Sequence, residues 1–242
     1  MKSPLVIEPL FHIGPVPITQ PVVATWVIMA ALTLFSILLT RRLALRPGTV
    51  QAATEMVTGA VDSQITDVMQ ADPAPYRALI GTIFLFILIS NWSSLLPGVE
   101  PATAHIETDA ALALIVFVAI IWYGIRSQGL GGYLRSFAEP SWIMIPLNIV
   151  EQITRTFSLI VRLFGNVMSG VFVIGIILSL AGLLVPIPLM ALDMLTGAVQ
   201  AYIFAILATV FIGAAVNGEG GGENPAGAAP QPPTDPDQES KA

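Results

Sequence analysis

The chain of 242 residues contains no cysteine and very few charged side chains. The absence of cysteine excludes disulfides and thiolate metal sites. Only 11% of the residues are charged and 55% are hydrophobic, whereas a typical soluble domain has about 25% charged residues. So few charges cannot cover a water-exposed surface, and the composition therefore indicates a membrane protein. A basic surface for nucleic acid is absent too, and we expect no cofactor and no bound metal.

The N-terminal segment lacks the basic region and apolar core of a cleavable signal peptide. It carries prolines at positions 4, 9, 15, 17 and 21 instead. Proline spacing of this kind predicts an extended lead-in to the first membrane span.

Several apolar runs approach the length of roughly 20 residues that a helix needs to cross a bilayer. We predict an all-α membrane protein whose single membrane domain covers 1–216. Its five transmembrane helices are expected at about 21–40, 77–96, 110–125, 141–184 and 189–215. The run 141–184 would be roughly 65 Å long, about twice the hydrocarbon thickness. It must therefore break or tilt, and we expect the last two helices to lie strongly tilted.

Two segments should lie outside the hydrocarbon. Residues 51–72 carry three acids among small and apolar residues, which predicts an amphipathic helix ended by Pro73 and Pro75. Residues 217–242 are rich in glycine, proline and acid and contain almost no large apolar residue. This composition predicts a disordered tail.

The charged residues of the predicted loops divide between the two sides of the membrane. One side carries the arginines 41, 42, 46, 77, 126 and 135. The other carries Glu8, Glu100, Glu107 and Asp109, with Lys2 as its only base. Under the positive-inside rule the N-terminus is outside, while the arginines, the amphipathic helix and the C-terminus are cytoplasmic.

Polar residues recur in steps of three and four along the fourth predicted helix and again on the fifth. They are Glu151, Arg155, Ser158, Arg162, Asn166 and Ser169, followed by Asp193, Thr196 and Gln200. This spacing places each set on one helix face, and ionisable groups at membrane depth indicate an ion path or a polar cavity. Plainer interpretations stay open. Arg162 could snorkel from the end of the apolar run 163–184, and Asp193 could be an interfacial carboxylate.

One string of residues carries a family resemblance. The segment Ser158-Leu-Ile-Val-Arg162-Leu-Phe-Gly-Asn166, preceded by Pro146-Leu-Asn148 and followed by Gln200-Ala-Tyr-Ile-Phe, closely resembles subunit a of F-type ATP synthases. The likeness extends from the first span to Gly213 and leaves out the tail.

The resemblance implies a role for the arginine. In this family Arg162 would face a ring of c subunits, each with a membrane carboxylate that binds and releases the ion. The chain would have no catalytic chemistry of its own. Two half-channels would couple transport of H⁺ or Na⁺ to rotation of the c-ring, and so to ATP synthesis or hydrolysis in the soluble ATPase sector. The expected partners include b-type peripheral stalk subunits, and the expected location is the bacterial plasma (inner) membrane.

The resemblance also implies roles for neighbouring residues. Asn166 looks like a lining group of the outer half-channel, Gln200 would orient the arginine, and Asp193 would relay protons. Ser169 is a further candidate for the pathway because it continues the polar stripe, and Glu151 would line the cytoplasmic exit unless it forms a surface ion pair with Arg155. Val171 departs from the family, because many members have an ionisable residue there.

Two other classes of protein fit less well. A self-contained channel or secondary transporter often shows internal repeats, and the sequence has no convincing repeat. An intramembrane hydrolase is disfavoured because no H-E-x-x-H or G-x-S-x-G string occurs.

Overall fold

A computed structural model describes residues 9–13, 16–41, 48–95, 101–136, 144–181 and 185–217. The described helices are α1 Gln20–Thr40, α2 Thr49–Met69, α3 Ala74–Trp92, α4 Ile106–Ser136, α5 Met144–Ala181 and α6 Pro186–Asn217. All except α2 are long and apolar enough to cross a membrane. The predicted helical membrane fold is thus confirmed. The tilt of the last two helices and the side on which α2 lies stay predictions. The predicted tail falls outside the described residues apart from Asn217.

A short antiparallel hairpin precedes the helices. Strand β1, Pro9–Ile13, pairs with strand β2, Val16–Thr19, so that Ile13 lies opposite Val16 and Phe11 opposite Ile18. The backbone is extended, as the prolines predicted, but the pairing of the two stretches was not predicted. It is the one departure from helical structure among the described elements.

Helices α2 and α3 form a tight helical hairpin whose turn differs from the prediction. Helix α2 ends at Met69, and Gln70 adopts the left-handed conformation, with φ of 53°. Its N–H donates to the carbonyl of Thr66 at 2.8 Å, as is typical of a helix C-terminus. The prediction that Pro75 stops a helix was wrong. Pro75 lies in the first turn of α3, where a missing N–H costs nothing.

Helix α4 is longer than the span expected at 110–125. It begins at Ile106, so the acid-bearing segment before residue 110 belongs partly to the helix. Near its other end, Gly129 breaks the helix with φ of 74°, a conformation that glycine adopts without strain. Beyond this break the chain folds back and buries the ring of Tyr133 against Gly124. Arg126 and Arg135, expected in a loop, therefore lie in helical segments.

Helix α5 has 38 residues and no interruption, and at 1.5 Å per residue it is roughly 57 Å long. We expected this segment either to break or to tilt, and the described helix is not broken. It runs antiparallel to α6, whose 32 residues follow directly after the turn at Val185.

Helix α6 is the centre of the bundle, and α2, α3, α4 and α5 all pack against it. Half of its ten buried residues are glycine or alanine: Gly197, Ala201, Ala205, Ala208 and Gly213. Small residues let helix backbones approach closely, which is how membrane helices gain packing energy without a hydrophobic driving force. About 44% of the α6 span is buried, against 11% of the α5 span. Helix α5 therefore lies at the outside of the bundle.

We predict that Gly124→Ala destabilises the fold by about 1–3 kcal/mol through overpacking. An added Cβ would lie 2.5 Å from Cε2 of Tyr133 and 3.2 Å from the carbonyl oxygen of Ala215. The measurement is the thermal unfolding temperature of the chain in detergent. Gly131→Ala is the matched control, because its Cβ would meet nothing within 4 Å. Equal unfolding temperatures for the two variants would contradict the packing described here.

Candidate ion-translocation site

Arg162 lies at the midpoint of α5 with its side chain exposed on the outside of the bundle. It lines an open groove of about 510 Å³ between α5 and α6. Within the described part of the chain, Arg162 has neither a hydrogen bond nor an ion pair. The snorkelling interpretation placed it at the end of an apolar run, but about five further helical turns precede it.

The same groove contains the first half of the polar stripe. Glu151, Thr154, Arg155 and Ser158 line it together with Arg162, so the spacing in the sequence does place these groups on one face. Glu151 and Arg155 form an ion pair. The Arg155 guanidinium also lies 5.4 Å from the ring centroid of Phe211 on α6, within the range of a cation–π contact.

Two contacts define how α5 and α6 align. Arg155 lies over Phe211, and nearer the other end of both helices Gly170 lies against Asp193. In an antiparallel pair, this register puts the turn from Arg162 to Asn166 beside the stretch of α6 that includes Gln200. Gln200 is 7% exposed and faces the bundle interior, while Asn166 is half-buried. The described residues show no hydrogen bond between Gln200 and Arg162.

Asp193 is half-buried against the backbone of Gly170. A Cβ added at Gly170 would overlap the Asp193 carboxylate, with its Cγ at 2.8 Å and Oδ2 at 3.3 Å. A larger residue here would force the carboxylate to shift from this position. Ser169, the neighbouring residue, is exposed, and its hydroxyl donates to the carbonyl of Asn166 at 2.8 Å. Val171 follows directly and packs against the hydrophobic core.

The structure adds residues that the spacing of polar groups did not reveal. The Asn91 amide at the end of α3 donates to the carbonyl of Gly197 at 2.9 Å. Gly197 follows Asp193 by four residues and precedes Gln200 by three, so all three share a face of α6. A Cβ at Gly197 would lie 3.0 Å from the Asn91 Cβ. Asn91 lies near the end of the second predicted span, and its position in the sequence did not indicate this contact.

The chain matches the ATP synthase A chain family over residues 22–213, from the start of α1 to near the end of α6. The chain belongs to this family. It is 60% identical over 215 residues to ATP synthase subunit a 2 of Bradyrhizobium sp. strain BTAi1. The aligned residues cover 89% of this chain and 96% of the relative. It is 48% identical over 199 residues to ATP synthase subunit a of Albidiferax ferrireducens, with coverage of 81% and 86%. The Prosthecochloris aestuarii relative, ATP synthase subunit a 1, is 45% identical over 208 residues.

Membership in the ATP synthase A chain family defines the kind of protein. The chain is an integral membrane protein that takes part in ion translocation, as a subunit of the F-type ATP synthase membrane sector. It works in a complex with other ATP synthase subunits and is not a catalytic subunit by itself.

We predict that Gly170→Ala slows ion translocation several-fold without preventing assembly, because the added methyl group displaces the Asp193 carboxylate. The measurement is ATP-driven ion uptake by membrane vesicles that contain the assembled complex. Gly175→Ala serves as the matched control on the same helix, since its Cβ would meet nothing within 4 Å. Equal uptake rates in the two variants would show that the position of Asp193 does not matter.

Proposed function

We propose that Arg162 is the fixed positive charge past which the carboxylates of a c-subunit ring move. The observation that carries this proposal is the exposure of Arg162 at the middle of α5, with no partner among the described residues. An arginine at membrane depth is costly unless an anion or a polar cavity accompanies it. A carboxylate on another subunit would supply the missing charge.

The surface around Arg162 suits such a partner. Large apolar side chains on α5 are exposed on both sides of it: Ile153, Phe157, Val161, Phe172, Val173 and Ile176. An apolar helix face around one charge can pack against neighbouring transmembrane helices that bring one carboxylate each. This supports α5 as the surface that meets the ring.

The chemistry of arginine fits the role. Its guanidinium stays protonated at any relevant pH, and a carboxylate that comes to lie opposite it is held ionised. The carboxylate must therefore release its proton or Na⁺ before it passes. A fixed cation also blocks direct leakage of cations between the two sides.

Two routes meet at Arg162 in this proposal. The groove from Leu147 to Arg162, with Glu151 and Arg155 on its wall, serves as the half-channel toward the end where α5 begins. Asn166, Ser169, Asp193 and Gln200 serve the half-channel toward the other end. An ion that enters by one route would leave by the other after the ring has carried it almost a full turn. Each elementary charge that crosses 100 mV contributes about 2.3 kcal/mol to rotation.

We further propose the assembly and the orientation. Beside the c-ring, b-type peripheral stalk subunits would hold the chain against the soluble ATPase sector, in the bacterial plasma membrane. The N-terminus would be outside. The ends of α4 and α6 lie together, because the Gln128 amide donates to the carbonyl of Ala215 at 2.9 Å, and this end would be cytoplasmic with Arg126.

The orientation is testable because the chain is free of cysteine. We predict that a membrane-impermeant maleimide added to intact spheroplasts labels the Glu107→Cys variant and leaves the Arg126→Cys variant unlabelled. Both side chains are exposed and lie at opposite ends of the apolar part of α4. Inverted vesicles should give the reverse pattern. If intact spheroplasts and inverted vesicles gave the same labelling pattern, the orientation would be refuted.

We predict that Arg162→Ala abolishes ATP-driven ion uptake in vesicles while the complex still assembles, as judged by blotting. Arg126→Ala is the matched control, an exposed arginine outside the groove, and it should pump at the wild-type rate. H⁺ and Na⁺ are varied in parallel, so that the ion dependence identifies the cargo. Normal pumping by an assembled Arg162→Ala complex would overturn the proposal.

A further inference from the structure

A cluster of buried polar side chains lies where α3 ends and α4 begins, away from the groove. Its members are Ser90, Asn91, Thr103, His105 and Asp109, and each is at most 8% exposed. The Thr103 hydroxyl donates to the side-chain Oδ1 of Asn91 at 2.6 Å, and the Thr103 N–H donates to the Ser90 hydroxyl at 3.3 Å. A short 3-10 turn, Ala102–Ala104, brings these groups beneath the start of α4.

Asp109 is the anomaly in this cluster. It is 0% exposed, and neither carboxylate oxygen has a hydrogen-bond partner among the described residues. Buried polar atoms are nearly always hydrogen-bonded, and a bare carboxylate is very costly away from water. A proton, a small cation or water must therefore satisfy this group in the working protein.

The carboxylate belongs to the interior of the bundle. Asp109 precedes Ala113, Val116 and Ile120 by four, seven and eleven residues, which places all four on one face of α4. Each of these residues is buried. The sequence predicted Asp109 in a loop among several acids, whereas the structure places it buried in the first turn of α4.

Hydrogen bonds join the cluster to the candidate ion path. Thr103 donates to Asn91, and Asn91 donates in turn to the carbonyl of Gly197, on the α6 face that carries Asp193 and Gln200. The indole N–H of Trp92 donates to the carbonyl of Met194, beside Asp193. The cluster thus meets the α6 face at the level of Asp193.

Val171 lies on the inward face of α5 at this same end. It continues the buried positions Leu159, Leu163 and Val167 in steps of four residues. The turn Ala102–Ala104 also packs against α5. At this level the inward face of α5 carries the apolar Val171, whereas α4 contributes the Asp109 carboxylate.

We infer that Asp109, with Thr103 and Asn91, binds the transported H⁺ or Na⁺ at the inlet of the half-channel that leads to Asp193, in place of an ionisable group at Val171. The carboxylate takes up the ion from the α3–α4 end of the bundle and gives it up toward Asp193, so that no bond other than the one to the ion changes. Oxygen atoms of the carboxylate, the threonine hydroxyl and the asparagine amide suit either cation. This inference rests on the proposed function of Arg162.

The test is Asp109→Asn in the whole complex, read as ion-driven ATP synthesis in vesicles against the ion concentration on the inlet side. The variant keeps the shape of the side chain and removes its charge. We expect the rate of synthesis to fall by about tenfold or more, as for the loss of a proton-transfer group. The double variant Asp109→Asn with Val171→Glu should come back to within about threefold of the wild-type rate, because the two positions are coupled. A purely structural role for Asp109 would give no such rescue.

Two controls separate the possible failures. Glu107→Gln removes an exposed acid two residues away and should leave the rate unchanged. Arg162→Ala is measured in parallel: normal pumping by that variant refutes the proposed function itself. Two results would refute the assignment of Asp109 to the inlet. One is an inactive Arg162→Ala complex together with an Asp109→Asn complex that works at the wild-type rate. The other is failure of Val171→Glu to rescue an assembled Asp109→Asn complex.

A second variant tests the inference in case the Asp109→Asn complex assembles poorly. If Asp109→Asn does not assemble, Thr103→Val decides, because it removes the hydroxyl that joins the cluster to Asn91 and leaves Asp109 in place. We expect the inlet-side ion concentration for half-maximal synthesis to rise several-fold at an unchanged maximal rate. An unchanged concentration would overturn the inference.

Discussion

The close packing of small residues along α6 is the constraint on which the rest of the structure depends. Glycine and alanine at its buried positions let α2, α3, α4 and α5 approach the same helix, and membrane helices hold together mainly through such contacts. The Asn91 side chain reaches the carbonyl of Gly197 because that position lacks a Cβ. The Asp193 carboxylate fits against α5 because Gly170 lacks one as well. The Asn91 and Asp193 side chains thus occupy positions that are open because the facing residue is a glycine without a Cβ.

Arg162 and Asp109 both lie in membrane-spanning helices without a side-chain partner among the described residues, and their surroundings are opposite. Arg162 is exposed on the outward face of α5, whereas Asp109 is enclosed by the bundle. An exposed charge can be met by another subunit, but an enclosed one can be met only by something small. The difference in burial therefore separates a group that another subunit could reach from one that only an ion or water could reach.

The sequence predicted the features that depend on local pattern. Apolar runs predicted five long helices, and steps of three and four placed Glu151, Arg155 and Arg162 along one groove. It did not predict features that depend on tertiary contact. Residues 106–109 look interfacial by composition, and Asp109 becomes buried only because the turn at 102–104 folds beneath α4. Likewise, Pro75 reads as a helix stop, yet the preceding turn has already ended α2, and Pro75 is left free to begin α3.

The outward face of α5 has a consequence for how the chain is made. Before assembly, the exposed guanidinium at its midpoint would have to meet lipid, at a cost of about 2.5–3.5 kcal/mol on biological insertion scales. A partner subunit that covered the guanidinium, as proposed, would remove this cost, and the newly inserted subunit would then be less stable alone than in the complex. A chain of this design is expected to be short-lived when its partners are lacking, which would keep an open groove with a bare charge from standing in the membrane as a leak.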